Sequence, residues 1–320
     1  MSDVVLRCAE LTKRYRAGFW GRRIDALRGV TFEVERGEIF GFLGVNGAGK
    51  TTTFKILVGL LFATSGRAEI FGVPAGAIEA KRRLGFLPES PYFYEYLTGR
   101  ELLDYVGRLF GLSRGENRRR GGELLERLGL GKAADTALRR YSKGMLQRVG
   151  VAQALMGDPD LLILDEPMTG LDPLGRKELR DFIGSLRERG KTVVFSTHVL
   201  PDVELLCDRV AILRDGRIHD VGPLGRLVSA RILSTEIVVD GEPPELLARL
   251  GGLDAQARGG QLVVVVAKDG SVDVALSKIA AAGGRIVQVT PRRETLEDVF
   301  VRATSAAVED SPSAGGDGGA

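Results

Sequence analysis

The chain has 320 residues, 44% hydrophobic and 27% charged, which is the composition of a folded globular protein. Its 45 Lys and Arg residues nearly balance 42 Asp and Glu residues, and a net charge of +3 does not indicate a protein that coats polyanions. The two cysteines, Cys8 and Cys207, exclude a disulfide framework and a CxxC metal site, and they favour a reducing compartment. Apolar runs such as 262–267 are far shorter than the roughly 18 residues of a membrane-spanning helix, and no signal-peptide pattern is present at the N-terminus.

Strand and helix patterns alternate over residues 1–222. Short apolar or β-branched runs predict strands, at 30–34, 38–43, 161–164, 192–196 and 209–213. Residues 50–61 predict a helix, and the helical spacing of apolar residues between Leu179 and Leu186 predicts another. Short buried strands that alternate with amphipathic helices are typical of a mostly parallel sheet with helices on both faces. We therefore predict an α/β domain over this part of the chain.

Residues 98–157 differ from their surroundings because they show helix signals and no convincing strand. Thr98 with Glu101 forms a capping-box pattern ahead of an amphipathic stripe. The segment therefore predicts a helical insertion in the α/β domain. Within it, the run Arg118–Arg120 is expected to form a solvated loop between helices, with contact to an acidic partner as the alternative.

The remaining residues predict a second, smaller α+β domain over 223–304. Strands are expected at 235–239, 262–267 and 285–289, with a weak one at 255–258, and helices at 245–250 and 272–282. This βαββαβ order favours a ferredoxin-like domain. Thr295 with Asp298 is positioned to cap a final helix, and residues 305–320 have the composition of a disordered tail.

The strongest chemical signal is the run Gly44-Val45-Asn46-Gly47-Ala48-Gly49-Lys50-Thr51, which fits the pattern G-x-x-x-x-G-K-[ST]. It follows a predicted strand and opens a predicted helix, which is the context this pattern requires. The glycines let backbone N–H groups turn around phosphate oxygens, and the positive end of the helix points to the same place. We expect Lys50 to reach the β- and γ-phosphates and the Thr51 hydroxyl to bind Mg²⁺.

A second signal is the apolar strand 161–164 followed by Asp165, Glu166 and Pro167. The strand delivers two acids to its carboxyl end, where α/β proteins bind ligands. Because successive strand residues point to opposite sides, Asp165 is expected to face Mg²⁺ through a water and Glu166 to face the attacking water as general base or orienting group. A helix cap is the alternative interpretation of the two acids.

Two further residues extend the pattern. Ser142 is predicted to cap a helix that runs toward Met156, and a capped helix start is also an anion site. His198 follows the strand 192–197 directly, so its ring can hydrogen-bond a phosphate oxygen or a water, although a purely structural histidine also fits.

In their order, these segments resemble the nucleotide-binding subunit of an ABC (ATP-binding cassette) transporter over about residues 4–222. The resemblance implies a P-loop NTPase fold, with a mostly parallel sheet core, an antiparallel β part and the helical insertion. Gly44–Thr52 resembles Walker A, Leu161–Glu166 resembles Walker B with its catalytic glutamate, Tyr141–Met145 the signature, Gly170–Asp172 the D-loop and His198 the switch histidine. Tyr15 resembles the aromatic residue that stacks on adenine. A half-buried strand tyrosine also fits at that position, with Phe19 or Trp20 as alternatives for stacking.

The resemblance implies roles for these residues. ATP would contact the set Tyr15, Gly44, Val45, Asn46, Gly47, Ala48, Gly49, Lys50, Thr51 and Thr52. Glu166, His198 and Lys50 would carry hydrolysis, and Thr51, Asp165 and Glu89 would hold Mg²⁺. Ser142 and Gly144 would touch the γ-phosphate held by a second copy, with Asp172 in the D-loop between the two sites. The resemblance therefore implies a head-to-tail dimer, formed with a second copy or a paired cassette, that sandwiches ATP.

Three positions depart from the family pattern. The signature usually reads LSGGQ, and Tyr141, Lys143 and Met145 replace three of its five residues. Glu89 occupies the position where the family usually has glutamine, and Val45 replaces a frequent proline. A carboxylate at position 89 can still hold Mg²⁺ or its water. These variants resemble the bacterial exporter subgroup in which ATPase and permease are separate chains.

The resemblance implies an ATPase that drives a separate membrane permease, most simply an exporter, from the cytoplasmic face of the membrane. The aromatic segment 89–97 is the candidate docking surface, although a core role for these aromatic residues is an equal alternative. No nucleic acid is expected as a partner. The alternatives are a non-transport ABC ATPase that acts on nucleic acid or the ribosome, and a nucleotide-binding regulatory protein.

Overall fold

The computed structural model describes residues 3–17, 22–227, 232–240, 250, 253–267, 270–293 and 295–305. Its contacts divide the chain into one unit of Met1–Leu224 with Ala303–Ala320 and a second unit of Gly225–Arg302, which are described separately. Across these described ranges, no helix combines the length and the apolar character needed to cross a membrane.

The first unit contains a four-stranded antiparallel sheet with the order β2-β1-β4-β5. Its strands are β1 (Val4–Ala17), β2 (Arg22–Glu35), β4 (Ser65–Ile70) and β5 (Val73–Pro74). The predicted strand 30–34 is the last part of β2. Alternate residues of β1 and β2, including Leu6, Cys8 and Val34, point into a core shared with the second sheet.

The second sheet has six strands in the order β10-β9-β3-β8-β7-β6, and all neighbours except β10 and β9 are parallel. The strands are β3 (Ile39–Leu43), β6 (Leu84–Leu87), β7 (Leu161–Leu164), β8 (Thr192–Thr197), β9 (Arg209–Arg214) and β10 (Arg217–Pro223). Every residue of β3, β7 and β8 is buried, as continuous apolar runs predict for parallel strands covered on both faces. The predicted parallel sheet is therefore confirmed, and the carboxyl ends of β3, β7 and β8 meet at one edge.

Helices of the first unit flank these strands. They are α1 (Lys50–Leu57), α2 (Ile78–Arg82), α3 (Gly99–Leu109), α4 (Arg114–Arg127), α5 (Lys143–Leu155), α6 (Pro173–Glu188) and α7 (Leu200–Leu206). The short helix α8 (Leu224–Leu227) begins at the last residue of the first unit's main segment and continues into the second unit. The prediction that α1 runs to residue 61 is wrong, because the chain turns at Gly59, whose φ of 72° ends the helix in the left-handed region.

The predicted helical insertion contains α3, α4 and α5. The capping box is confirmed, because the Thr98 side chain accepts from the Glu101 N–H and Glu101 reaches back to the Thr98 N–H. The prediction that residues 118–120 form a loop is wrong, because they lie inside α4. Ser113 caps this helix, and Arg119 and Arg120 pair with acids one turn away, which stabilises helical geometry despite the flanking glycines.

The second unit contains a four-stranded antiparallel sheet with the order β12-β13-β11-β14. Its strands are β11 (Ile232–Asp240), β12 (Asp254–Arg258), β13 (Gln261–Ala267) and β14 (Arg285–Arg293). Helix α9 (Val272–Ala281) buries Ala275 and Ile279 in the apolar cluster of this unit. The predicted helix 245–250 lies outside the described residues except for Leu250, so the ferredoxin-like assignment stays a prediction.

A last helix, α10 (Leu296–Ser305), follows β14. The Thr295 N–H donates to Asp298 Oδ2 at 2.9 Å and the Asp298 N–H donates to Thr295 Oγ1 at 3.2 Å, so the predicted cap is confirmed. The predicted tail lies, apart from Ser305, outside the described residues.

Candidate active site

The glycine-rich loop connects β3 to α1 and lies at the carboxyl edge of the parallel sheet. Gly49 has a φ of 111°, and a Cβ there would lie 2.7 Å from Leu27 Cδ2. A Cβ on Gly44 would lie 2.6 Å from the Leu213 carbonyl oxygen. Only glycine therefore fits at these two positions, and the loop can follow the tight path that turns N–H groups inward.

The turn between β9 and β10 supports this loop from behind. The Gly216 N–H donates to the Ala48 carbonyl oxygen at 3.0 Å, and the Arg28 N–H of β2 donates to the Gly216 carbonyl oxygen at 2.7 Å. Asp215 and Gly216 both have positive φ, at 48° and 73°, as a tight two-residue hairpin turn requires. The glycine-rich loop is thus hydrogen-bonded to a tight hairpin.

Lys50 begins α1 and is almost fully buried, with 6% of its surface exposed. Its ammonium group donates to the carbonyl oxygens of Gly44 at 2.6 Å and Val45 at 3.3 Å. Glu166 Oε1 lies 3.4 Å from the same nitrogen. The side chain is therefore held with its charge inside the loop, where it can exchange these oxygens for those of a phosphate.

Asp165 follows β7 and is buried, with 1% of its surface exposed. Its Oδ1 accepts from Ser196 Oγ at 2.5 Å, whereas Oδ2 is buried without a hydrogen-bond partner among the described residues. Burial raises the pKa of the Asp165 carboxyl, and the hydroxyls of Ser196 and Thr51 act in the opposite direction. A buried, unpaired carboxylate oxygen beside a threonine hydroxyl is a donor set that fits Mg²⁺.

The backbone of Glu166 has left the strand conformation, with a φ of 49°. Its N–H donates to Ser196 Oγ at 2.8 Å, and its carbonyl oxygen accepts from Gln147 Nε2 at 3.2 Å and from the Thr169 N–H at 3.1 Å. The strand alternation expected to separate the two carboxylates does not extend to Glu166, because β7 ends at Leu164 and Glu166 is left-handed. The two acids instead share one hydroxyl, that of Ser196.

His198 completes the cluster from the end of β8. Its Nδ1 lies 3.0 Å from both carboxylate oxygens of Glu166. An ionised carboxylate only accepts hydrogen bonds, so this contact places a proton on Nδ1. About half of the side chain, 48%, is exposed, so a ligand can reach it.

A cavity of about 390 Å³ brings most of the predicted residues together. It is lined by Ala26, Val45, Asn46, Gly47, Gly49, Lys50, Thr51, Thr52, Glu89 and Glu166. Glu89, the replacement for the expected glutamine, is exposed at its rim. Gly44 and Ala48 are buried behind the loop. The size and the polar lining suit the phosphates of a nucleotide.

The lining of this cavity does not include the residue that is predicted to stack on adenine. Tyr15 is exposed on β1, pairs with Ile24 across the sheet and is not part of the lining. The Lys13 ammonium lies 5.3 Å from the centre of its ring. The role of Tyr15 stays a prediction, and the alternatives Phe19 and Trp20 lie outside the described residues.

The signature residues lie outside the cavity. Ser142 Oγ accepts from the Met145 N–H at 3.2 Å, so the predicted cap of α5 is confirmed. A Cβ on Gly144 would lie 2.9 Å from Leu171 Cδ2, so the start of α5 packs against the D-loop segment. There Asp172 caps α6 by accepting from the Gly175 N–H at 2.9 Å.

Sequence reasoning missed two residues of this site. Ser196 links the two acids, and it could have been found as a polar residue in an apolar strand two positions before His198. Gln147 is 98% buried and holds the Glu166 carbonyl oxygen, but no local pattern in the sequence indicates that contact.

Comparison with known proteins supports the same interpretation. The profile of the ABC transporter family matches residues 27–169. An ABC transporter ATP-binding protein of Synechocystis is 42% identical over 302 residues, which cover 93% of this chain and 84% of that protein. The bacitracin transport ATP-binding protein BcrA of Bacillus licheniformis is 34% identical, with 94% of this chain and 97% of that protein covered. The Nod factor export ATP-binding protein I of Ralstonia nicotianae is 35% identical, with 97% and 96% covered.

Solved structures agree with the sequence matches. The ATP-binding subunit of an ABC transporter superposes with a TM-score of 0.63 at 35% identity, covering 70% of this chain and 91% of that one. The ATP-binding cassette MJ0796, solved as a dimer in a post-hydrolysis state with ADP and Pi, gives a TM-score of 0.64 at 27% identity. That match covers 68% of this chain and 98% of the cassette.

Proposed function

The chain belongs to the ABC transporter ATP-binding proteins and is an ATPase subunit that drives a membrane permease. We propose that this permease is a separate chain and that the assembled transporter is an exporter. The observation that carries the ATPase function is the cluster at the sheet edge, in which Lys50 and His198 both contact the Glu166 carboxylate beside the glycine-rich loop. The relative that is named for Nod factor export supports the proposed direction of transport.

The cluster is suited to transfer of the γ-phosphoryl group of ATP to water. Lys50 would hold phosphate oxygens, and Glu166 would orient the attacking water and accept its proton. His198, bonded to Glu166, would fix the carboxylate and contact the γ-phosphate. Mg²⁺, when held by Asp165 and Thr51 with Glu89 near the rim, would neutralise charge on the phosphates.

A second copy would complete each site. Ser142 and Gly144 lie outside the cavity of their own chain, so their proposed contacts with the γ-phosphate would be made to another copy or to a paired cassette, and Asp172 of the D-loop lies outside the cavity as well. The dimeric arrangement of the similar cassette MJ0796 supports this proposal. ATP would then favour the closed dimer, and hydrolysis would reopen it.

We place the permease contact on the aromatic segment 89–97. Tyr92, Tyr94 and Tyr96 are 91%, 52% and 73% exposed, whereas Phe93 is buried, so the segment presents three tyrosines from an anchored position. Exposed aromatic side chains are typical of protein interfaces. This contact would hold the chain at the cytoplasmic face of the membrane.

The substitution Glu166→Gln tests the proposed function. The variant should bind Mg·ATP as the wild type does, accumulate the ATP-bound dimer and lose turnover by about a thousandfold, because a proton acceptor is removed. Steady-state hydrolysis, nucleotide binding and size-exclusion chromatography measure the three properties. The exposed Glu188→Gln on α6 is the matched control and should change none of them.

Full hydrolysis by Glu166→Gln would remove Glu166 from its role.

The docking surface is tested by co-purification. The wild type should co-purify with a membrane protein, and that partner should be lost when Tyr92 and Tyr96 are changed to serine. Binding to ribosomes or nucleic acid instead would support the non-transport alternative.

A further inference from the structure

Glu166 holds a backbone conformation that is unfavourable for a residue with a side chain. A left-handed φ such as its 49° costs on the order of 1 kcal/mol or more outside glycine, so surrounding contacts must maintain it. The N–H is held by Ser196, which belongs to the sheet. The carbonyl oxygen accepts from the Thr169 N–H in the following turn and from the side chain of Gln147, which belongs to α5.

Within the described part of the chain, Gln147 has no other side-chain hydrogen bond that would explain its burial. Only 2% of its surface is exposed, and its Nε2 donates to the Glu166 carbonyl oxygen at 3.2 Å. The neighbours Val149 and Val151 on the same helix are fully buried, so an apolar side chain would serve packing at this position. A buried amide is costly unless it is bonded, which indicates that its bond to Glu166 is the reason for its presence.

Helix α5 connects this contact to the signature. Ser142 caps the first turn, and Gln147 follows five residues later, about 7.5 Å along the helix axis. The helix is rigid over this distance, and the D-loop segment packs against its start through Leu171 and Gly144. A movement of α5 at Ser142 would therefore reach the backbone of Glu166 directly.

We propose that Gln147 is a positioning residue that holds the Glu166 backbone and transmits the engagement of the signature to the general base of the same chain. The proposal rests on the proposed function, in which Ser142 contacts the nucleotide held by a second copy. The ATP site of each chain would then respond, through α5, to contact between the signature of that chain and the nucleotide bound to the partner.

The substitution Gln147→Met tests the positioning role, since methionine keeps the length of the side chain and removes the donor. We expect kcat for ATP hydrolysis to fall about tenfold with KM for ATP within twofold, as expected when an aligning hydrogen bond is lost. Gln153→Met on the same helix is the matched control, because Gln153 is partly buried and makes no contact with the site among the described residues. An unchanged kcat, or equal losses in both variants, would overturn the proposal.

Hydrogen–deuterium exchange of the full chain separates this proposal from the proposed function. Without nucleotide, the peptide that covers 164–170 should exchange faster in Gln147→Met than in the wild type or in Gln153→Met. This comparison stands even if the wild type does not hydrolyse ATP, in which case the proposed function fails alone. Equal exchange in the three proteins would overturn the positioning role.

Transmission is tested by the same measurement with Mg·ATP, in the Glu166→Gln background to prevent turnover. ATP should slow exchange both at the glycine-rich loop and at 164–170, and Gln147→Met should abolish only the second effect. If ATP protects 164–170 equally with and without the amide, α5 does not transmit engagement through Gln147.

Discussion

The parallel sheet of the first unit and the antiparallel sheet of the second differ in where their polar side chains can gather. Every residue of β3, β7 and β8 is buried, and the three strands end at one edge, where Lys50, Asp165, Glu166 and His198 meet. In the second unit, β13 alternates between buried and partly exposed residues, and β14 is exposed from Arg285 to Arg292. Neighbouring antiparallel strands end at opposite edges, so the loops after them do not converge.

Strand direction explains why the candidate active site forms at one of the two sheets. Parallel strands place the residue after each strand beside the residue after its neighbour, although the segments are far apart in sequence. Residues 44, 165 and 198 are brought together in this way. A sheet with one open face and alternating directions builds a stable layer but offers no such meeting point.

The largest effect that this comparison predicts concerns Asp165. Asp165→Asn should lower kcat for Mg·ATP hydrolysis by about a thousandfold, because the buried carboxylate is lost as an oxygen donor for Mg²⁺. The matched Asp254→Asn at the start of β12, in the second unit, should leave kcat unchanged. Steady-state assays over a range of Mg²⁺ concentrations measure both. A large loss in Asp254→Asn would break the comparison.

The next effect concerns two glycines with positive φ. Gly49→Ala should destabilise the first unit by about 3 kcal/mol and weaken ATP binding more than tenfold, because its φ is 111° and its Cβ would lie 2.7 Å from Leu27 Cδ2. Gly259→Ala, at a φ of 62° in the β12–β13 turn with no atom within 4 Å of its Cβ, should cost about 1 kcal/mol and leave ATP binding intact. Denaturant unfolding and nucleotide titration test the pair.

A smaller effect is a gain in thermal stability, rather than a loss, when the Asp165 charge is removed, and this gain depends on pH. Burial raises the pKa of Asp165 above its ordinary value of 3.8, so the folded chain binds this proton more tightly than the unfolded chain. The ionised form therefore costs stability, and the cost appears as pH rises from 3.8 through the folded pKa. Without Mg²⁺ or nucleotide, Asp165→Asn should raise Tm at pH 7 and 8, and the gain should vanish toward pH 4. A gain of the same size at every pH would contradict this origin.

The smallest effects should be equal in the two units. Ser113 caps α4 and Ser271 caps α9, and each hydroxyl accepts from an N–H three residues later at 3.3 Å. Ser113→Ala and Ser271→Ala should each destabilise their helix by about 1 kcal/mol and leave kcat unchanged. Hydrogen exchange of the two helices measures the loss. Equal costs would show that the units differ in strand direction rather than in helix physics.

Much of the site could be predicted from sequence because its signals are local. The glycine run with Lys50, the acids after an apolar strand and His198 after another are each readable within ten residues, and parallel strands supply the rest of the argument. The caps at Thr98 and Ser142 are equally local, since each depends on residues three positions apart.

The parts that could not be predicted depend on contacts between distant segments. The left-handed backbone of Glu166 is hydrogen-bonded to Ser196 and Gln147, which lie thirty residues after it and nineteen before it in sequence, as well as to the nearby Thr169 N–H. Arg118–Arg120 has the composition of a loop, yet Ser113 and two ion pairs make it helical. The identity of the adenine contact depends on segment 18–21, for which the structure describes no residue.

The hairpin behind the glycine-rich loop has a consequence for how ATP affinity can change. Leu213 leaves no room for a side chain at Gly44, and Gly216 is bonded both to Ala48 and to Arg28 of β2. Lengthening this turn by one residue would remove the support behind the glycine-rich loop, although residues 213–216 are not part of the cavity lining. We therefore expect nucleotide affinity to respond to changes in a segment that lies behind the binding loop and outside the cavity lining.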